Sequence, residues 1–255
     1  MKTDVALADL AAHLDELLEV AAVEDYGPNG IQVEGRERVG KVVTGVSACQ
    51  ELFERAADAG ADAVLVHHGL FWQGMPYPLT GVTYRRVAAL VRNELSLLAY
   101  HLPLDRHPEL GNNALAARRL GLKRLQPFGR HQGVAIGFQG IFPEPLPFAE
   151  LVARCRELFD QEPLALGDGP GEVQRVGIIS GGAQKELHQA IAAGLEVYIT
   201  GEASEWVTNL AREAGIHYLA AGHYATERLG VQALGEHLAE RFGIETEFLD
   251  VPNPV

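Results

Sequence analysis

The second half of this chain repeats the first, and this duplication limits the possible fold more than any other feature of the sequence. Matches of alanine and leucine carry little weight in helical segments, whereas matched glycines, tryptophans and histidine–acid pairs are hard to produce by composition alone. We therefore interpret residues 41–121 and 175–243 as two copies of one unit. The aligned pairs, at shifts of 134 and then 122 residues, are Gly60 with Gly194, Asp62 with Glu196, His68 with Glu202, Trp72 with Trp206, His101 with His223, Asp105 with Glu227, and Gly121 with Gly243.

Strand and helix patterns alternate within both copies. Short valine-rich runs such as 41–47 predict buried strands, because they are too short for helices and apolar throughout. Apolar residues at helical spacing predict helices. This alternation favours an α/β fold with mixed, mostly parallel sheets, built as two intertwined, duplicated lobes. We expect one lobe over residues 1–124, with 222–255 packing back on it, and the other over 125–221. The predicted helices include 6–20, 51–59, 83–93, 113–120 and 148–159.

The apolar run Ala63–Val66 ends abruptly in His67, His68 and Gly69. Ligands of α/β proteins collect at the carboxyl ends of strands, which is where both histidines fall. Adjacent residues of a regular strand point to opposite faces, so both imidazoles reach one site only if the strand ends there. Gly69 allows such a turn. The alternative is one core histidine beside one surface histidine.

Histidines and acids recur at corresponding places in the two copies. His223 and Glu227 are four residues apart at the start of a predicted helix, so they share one face. Asp105 follows Pro103 and is predicted to lie on a loop, close in sequence to His101. The alternative makes the histidines hydrogen-bonded core residues and the acids helix caps. That alternative leaves the repetition unexplained.

This combination of side chains predicts a metal site. Several imidazoles with two carboxylates suit borderline divalent ions such as zinc, manganese, iron, cobalt or nickel. Because two acids can bridge, the set is rich enough for two ions per chain, about 3.5–4 Å apart. Neither half alone supplies enough ligands for two ions, so we expect the site to form between the two lobes.

Composition excludes some classes of function. The chain has 255 residues with 21 basic and 34 acidic side chains, a net charge of −13. Such an acidic protein is a poor binder of nucleic acid or anionic membrane. No segment approaches 18 uncharged apolar residues, and the N-terminus has acids where a signal peptide needs an apolar core. Cys49 and Cys155 lack metal-binding spacing and predict reduced, buried thiols, so a cytoplasmic location is expected.

Five motifs and one loop of the sequence resemble the Nif-three-like family, also known as GTP cyclohydrolase type 2 homologues and dinuclear metal centre hexamers. The resemblance covers nearly the whole chain in order. It implies two intertwined α/β lobes and a toroidal homohexamer with metal sites facing an inner cavity. Residues 122–174 are too few for the extra domain of longer members, so the chain resembles the short bacterial form. The motifs are Val66–Trp72, Tyr100–Asp105, Gly111–Asn113, Ile199–Glu202 and Gly222–Glu227, with the Gly30–Gln32 loop.

The resemblance also implies which residues hold the metal. His101 is nearby and is less certainly a ligand than the others. The implied ligands are His67, His68, Asp105, His223 and Glu227.

Two functions follow as hypotheses. The first is a metal-dependent hydrolase that uses a metal-activated water on a small molecule, GTP by the family label. Glu202 and His101 are its candidate catalytic residues; Glu202 is a general base or supports a ligand, or else it caps a helix starting near Ser204. The second is a non-catalytic, ring-shaped metal-binding scaffold. The Ile179–Gly182 segment can cradle a phosphate on its backbone amides, but a tight strand–helix turn is favoured.

Overall fold

The computed structural model describes residues 3–255, and strands alternate with helices along most of that range. The strands are β1 Val5–Ala6, β2 Gly30–Val33, β3 Arg38–Val39, β4 Lys41–Ser47, β5 Ala63–His68, β6 Ser96–Ala99, β7 Lys123–His131, β8 Val134–Pro147, β9 Leu164–Gly167, β10 Glu172–Ile178, β11 Val197–Thr200, β12 His217–Ala220 and β13 Glu245–Phe248. The helices are α1 Leu7–Leu17, α2 Gln50–Asp58, α3 Gly81–Arg92, α4 Leu102–Arg106, α5 Asn112–Leu120, α6 Phe148–Phe159, α7 Leu187–Ala192, α8 Val207–Ala214, α9 His223–Thr226 and α10 Arg228–Phe242, with short 3₁₀ turns at Val20–Ala22 and Gln184–Glu186.

The chain divides into two compact units. Unit 1 runs up to Leu104 and resumes over Gly230–Val251, whereas unit 2 consists of Asp105–Leu229 and Pro252–Val255. The first change of unit therefore falls after residue 104, where the sequence had placed it after residue 124. Helix α5 and strand β7 belong to unit 2 as a result.

Unit 1 is built on a five-stranded sheet in the order β13–β4–β5–β6–β2. The first four strands are parallel, and β2 pairs antiparallel with β6. Strand β5 lies at the centre, and its residues from Ala63 to His67 are buried, which explains why this strand is apolar rather than alternating. Helices α2 and α3 contribute Phe53 and Leu90 to the apolar core that contacts this sheet.

Unit 2 is built on a six-stranded sheet in the order β7–β8–β10–β11–β12–β9. Strands β10, β11 and β12 are parallel, and the neighbours β8 and β9 pair with them antiparallel. Each copy of the duplication thus contributes three parallel strands, β4–β5–β6 and β10–β11–β12, and in each sheet a strand that precedes the copy, β2 or β9, pairs antiparallel at the edge. The predicted α/β fold with mixed sheets is confirmed.

Matched glycines end equivalent helices in the two copies. Gly60 and Gly194 have φ angles of +70° and +66°, a left-handed conformation that glycine adopts without steric cost. The amide after each glycine then donates back to the helix: Ala61 N to Ala56 O, and Leu195 N to Ala190 O, both at 3.0 Å. The duplication therefore extends to the hydrogen bonds that connect each helix to the next strand.

Three local predictions were wrong. The Gly30–Gln32 segment, predicted as a loop, lies in strand β2. Asp105 lies in the short helix α4 rather than on a loop. Pro103 is tolerated there because the first turn of a helix has no internal partner for its backbone nitrogen. Cys49 precedes α2 in an extended conformation and is half-buried, whereas Cys155 is buried within α6. Among residues 3–255 both cysteines are free thiols, and no helix is long and apolar enough to cross a membrane.

Candidate metal centre

Three imidazoles meet at the carboxyl ends of β5 and β6 in unit 1. His67, His68 and His101 each offer one nitrogen, and these three atoms lie within 4.8 Å of one another. Strand β5 ends at His68, so the two adjacent rings approach to 4.8 Å between centroids instead of remaining on opposite faces. The structure therefore places both histidines of the His-His-Gly motif in one group.

Hydrogen bonds orient the first two rings. His67 is fully buried, and its Nδ1 lies 3.0 Å from the carbonyl oxygen of Tyr100. A carbonyl can only accept, so Nδ1 carries the proton and Nε2 carries the lone pair. His68 Nδ1 lies 3.2 Å from Ser47 Oγ on the neighbouring strand β4.

His101 is oriented by a residue that sequence reasoning had missed. Its Nδ1 lies 2.7 Å from Oδ1 of Asp25, in the loop before β2. Burial raises the pKa of Asp25. The hydrogen bond and charge of His101, together with hydrogen bonds from Asn29 and the Tyr26 amide, lower it by a larger amount, so the net pKa is below the ordinary value. The sequence signal that could have identified Asp25 is its position as an acidic residue shortly before the Gly30–Gln32 motif.

The loop before β2 and the segment after His68 form the wall of this group. Trp72 lies edge-on to the His101 ring, with 5.1 Å between centroids. Gln32 accepts a hydrogen bond from the Leu70 amide at 2.7 Å, and a Cβ at Gly69 would lie 2.3 Å from the Gln32 side chain. The cavity between them has a volume of about 10 Å³ and is lined by His67 and His101. That volume is roughly one water molecule.

Unit 2 brings together the second histidine–acid pair. Glu227 is buried, and its Oε1 lies 3.2 Å from Nε2 of His223. Glu202 contacts the other side of the ring, with Oε1 2.5 Å from Nδ1 of His223. Burial lowers the pKa of His223, but Glu227 and Glu202 together raise it to about 9. Glu202 Oε2 also accepts from Gln184 at 2.8 Å, and α8 begins at Val207, so Glu202 supports His223 rather than capping that helix.

Asp105 is buried in unit 2 and held by two side chains. Its Oδ1 accepts hydrogen bonds of 2.9 Å from Asn112 Nδ2 and from Ser180 Oγ. Asn113 accepts from the Ser180 amide at 2.7 Å and donates to Ile136 O at 2.8 Å. The Gly111–Asn113 motif therefore fixes Asp105 and the turn after β10. Sequence reasoning missed the part played by Ser180.

The turn after β10 requires glycine. Gly181 has a φ angle of +68°, and a Cβ there would lie 2.3 Å from Oε1 of Glu227. The Gly181 amide donates to Thr226 Oγ1 at 3.0 Å, and the Ser180 amide is bonded to Asn113. Because both amides already donate hydrogen bonds to side chains of the protein, the structure supports a tight turn rather than a phosphate-binding loop.

Each unit carries donors that suit a divalent metal. Unit 1 has a group of imidazoles, and unit 2 has an imidazole with buried carboxylates. Imidazole and carboxylate donors together suit zinc, manganese, iron, cobalt or nickel. The fold and this site thus define a duplicated α/β protein with a histidine group that can hold a metal ion.

This chain belongs to the Duf34/NIF3 (NGG1p interacting factor 3) family, which it matches over residues 5–254. The sequence resemblance is therefore confirmed. A Pseudomonas aeruginosa protein named GTP cyclohydrolase 1 type 2 homolog is 48% identical over 250 residues, covering 98% of this chain and 99% of that protein. A Vibrio cholerae protein of the same name is 45% identical over 251 residues, covering 96% and 98%.

Solved structures share the fold. A structure described as protein ybgI, of unknown function, superimposes with a TM-score of 0.93 at 43% identity, covering 98% of this chain and 100% of that one. The protein TTHA1606 from Thermus thermophilus has a TM-score of 0.90 at 37% identity, with the same coverage.

Proposed function

We propose that this chain binds two divalent metal ions and is a metal-dependent hydrolase. The observation that carries the proposal is the three-imidazole group of His67, His68 and His101, with its ligand nitrogens within 4.8 Å of one another. Three imidazoles are the ligand set of one class of catalytic zinc site, which keeps a further position open for water or substrate. A bound divalent ion would supply Lewis acidity and lower the pKa of a coordinated water toward neutrality.

The second ion is proposed from the acids of unit 2. Asp105, His223 and Glu227 supply two carboxylates and one imidazole, whereas the group in unit 1 supplies imidazoles alone. Carboxylates bridge paired ions, and neither set alone fills two ions with four bonds each. We therefore propose a dinuclear centre with Asp105 and Glu227 as shared ligands.

The two candidate catalytic residues have different proposed roles. Both oxygens of Glu202 accept hydrogen bonds, from His223 and from Gln184. This supports Glu202 as a residue that orients His223, because a carboxylate outside the first ligand sphere increases the basicity of a metal-bound imidazole. His101 belongs to the histidine group, which supports it as a ligand.

GTP is the substrate to test first, because the curated relatives are named GTP cyclohydrolase 1 type 2 homolog. The alternative is a metal-binding scaffold without turnover. The number of protein ligands favours this alternative, because five or six of them could saturate the ions, whereas a catalytic site keeps a position open for water or substrate. Turnover of GTP by the metal-loaded protein would support the hydrolase. Full metal occupancy without turnover of GTP or phosphoesters would support the scaffold.

Elemental analysis of the purified protein tests the metal proposal. We expect about two divalent ions per chain after metal-supplemented purification. Asp105→Ala and Glu227→Ala should each empty both positions if the carboxylates are shared. Loss of one ion would show that they are terminal ligands, and a chain that binds none would contradict the proposal.

We also propose a homo-oligomer, with six copies as the expected number, because the family resemblance implies a ring. Light scattering at micromolar concentration measures this directly. A mass near six times 27.6 kDa is expected. A monomeric mass would contradict the assembly without affecting the metal proposal.

A further inference from the structure

We propose that Asp25 is a positioning residue for His101, holding the imidazole in the tautomer and orientation that present Nε2 to the histidine group. This inference rests on the proposed function, because an oriented Nε2 matters for binding a metal. Asp25 lies outside every motif that carried the sequence prediction and outside the duplicated segments.

The contacts of Asp25 define the tautomer of His101. The Asp25 side chain is only 2% exposed, and its Oδ1 lies 2.7 Å from His101 Nδ1. Its Oδ2 accepts hydrogen bonds from Leu102 N at 2.9 Å and from Asn29 Nδ2 at 3.0 Å. A carboxylate accepts and does not donate, so Nδ1 of a neutral His101 must carry the proton. The lone pair then lies on Nε2.

The backbone of His101 is held by the same loop. Asn29 Oδ1 accepts a hydrogen bond from the His101 amide at 2.8 Å. The loop is in turn bound to the segment after His68, because Gln73 N donates to Tyr26 O at 2.7 Å. A Cβ at Gly27 would lie 2.4 Å from Phe71 O, so the two segments are in close contact. Asp25 is therefore fixed relative to the histidines of unit 1.

The other copy uses the same device from a different place in the sequence. His223 is the equivalent of His101, and its Nδ1 faces the Glu202 carboxylate at 2.5 Å. Glu202 aligns with His68 in the duplication, whereas Asp25 precedes the duplicated segments. Inheritance from one ancestral copy therefore does not explain both carboxylates. A requirement for an oriented imidazole in each copy explains why both carboxylates are present.

The substitution Asp25→Asn should reverse the tautomer. Leu102 N and Asn29 Nδ2 both donate to the position of Oδ2, whereas the Tyr26 amide is the one donor besides His101 at Oδ1. The single oxygen of an asparagine therefore satisfies more donors at the Oδ2 position. The amide nitrogen is then placed against His101 Nδ1, which must become the acceptor, and the ring proton moves to Nε2. A protonated Nε2 cannot bind a metal.

Two measurements on the full-length protein test this. Nitrogen-15 NMR of the histidine rings in metal-free protein reports the tautomer, and competition titration with Zn²⁺ reports affinity. We expect Asp25→Asn to move the His101 proton to Nε2 and to weaken Zn²⁺ binding about 10–100-fold, as for other carboxylates behind a ligating histidine. His101→Gln should weaken binding at least as much, and the double variant no more than His101→Gln alone. A His101 tautomer unchanged by Asp25→Asn would overturn the proposal, as would unchanged Zn²⁺ affinity.

Asp62→Asn is the matched control, because Asp62 also accepts backbone amides but lies at the opposite end of the β4–β5 pair from the histidines. It should alter neither the tautomer of His101 nor the Zn²⁺ affinity.

If Asp25→Asn does not fold, Asp25→Glu keeps the carboxylate and should retain the tautomer of His101 with intermediate Zn²⁺ affinity. Loss of that tautomer in the folded Asp25→Glu variant would also overturn the proposal. If the wild type binds no Zn²⁺, the proposed function fails, and the tautomer in metal-free protein still decides whether Asp25 positions His101.

Discussion

Asp62 and Glu196 occupy equivalent positions in the two copies, and each uses one carboxylate oxygen to accept hydrogen bonds from two consecutive backbone amides in, or directly before, the neighbouring strand. Each acid also contacts an arginine, Arg36 for Asp62 and Arg175 for Glu196. The carboxylates thus join the first two parallel strands of each copy at the same end. The donors are the amides of Gly40 and Lys41 at 2.8 and 3.0 Å, and of Gln174 and Arg175 at 2.6 and 2.8 Å.

Asp62→Asn should destabilise the protein near neutral pH. Burial raises the pKa of Asp62, but the Gly40 and Lys41 amides and Arg36 lower it more, so its pKa in the folded protein is below the unfolded value. The stabilisation is therefore complete above the unfolded pKa of about 3.9 and is lost as pH falls through the folded pKa. We expect a loss of about 1–2 kcal/mol at pH 7 in urea unfolding, shrinking below about pH 4. Asp58→Asn, an exposed acid on α2, is the control; an equal loss there, or none in Asp62→Asn, would contradict the account.

Gly181→Ala should weaken metal binding through Glu227. A methyl group at this position would lie 2.3 Å from Oε1 of Glu227, and the φ of +68° disfavours a side chain. The strain alone should cost about 1–2 kcal/mol of stability. Titration with Zn²⁺ measures the binding loss.

Two other glycines separate the causes of that loss. Gly182→Ala meets its nearest atom at 3.6 Å and should bind Zn²⁺ normally. Gly60→Ala has a similar φ of +70° but nothing within 4 Å, so it should lose stability and keep Zn²⁺ affinity. Equal Zn²⁺ affinity in Gly181→Ala and Gly182→Ala would show that Gly181 makes no room for Glu227.

Ser180→Ala should reduce Zn²⁺ affinity about tenfold, because Asp105 loses one of the donors that orient it. The free energy of unfolding should fall by about 1 kcal/mol, the usual value for one neutral side-chain hydrogen bond. Ser204→Ala, outside this network, is the control. A variant that loses stability but binds Zn²⁺ as the wild type does would mean that Ser180 supports the fold and not the ligand.

His13 and His237 should make stability depend on pH below neutrality. Their Nε2 atoms are 2.8 Å apart and their planes are within 2° of parallel, so the rings meet edge to edge through one N–H···N hydrogen bond. Burial lowers the pKa of His13, as do His237 and Arg241, against an opposing effect of Glu16. The folded protein therefore favours neutral His13, and this stabilisation is present above about pH 6.5 and lost as pH falls through the lower folded pKa.

Urea unfolding between pH 7.5 and 5 measures this effect. The free energy of unfolding of the wild type should fall more steeply with decreasing pH than that of His13→Gln. His188→Gln, which removes a histidine that stacks on Trp206, should retain the steep dependence. Parallel curves for wild type and His13→Gln would refute the role of the pair.

Strands and helices with a strong local pattern were predictable from the sequence, whereas the edge strands β2, β7 and β9 were not. Strand β4 has the predicted bounds of 41–47, and helix α6 has the predicted bounds of 148–159. Asp105 was wrongly predicted to lie on a loop because a proline such as Pro103 usually breaks a helix. The sequence did not show that Pro103 lies in the first turn of a helix, where proline is tolerated. The sequence predicted that His67 and His68 lie at the end of a strand. Whether both rings face one site depends on the residue at which β5 ends, and the structure shows that this residue is His68.

The sequence by itself determined the class of fold and the residue types of the site, through periodicity and through a duplication that repeats histidines and acids. Only the tertiary structure decided which side chains orient them. Asp25 reaches His101 across 76 residues, and Ser180 reaches Asp105 across 75. A hydrogen bond between such distant residues follows from how the sheets and loops pack, and no local pattern in the sequence encodes that packing.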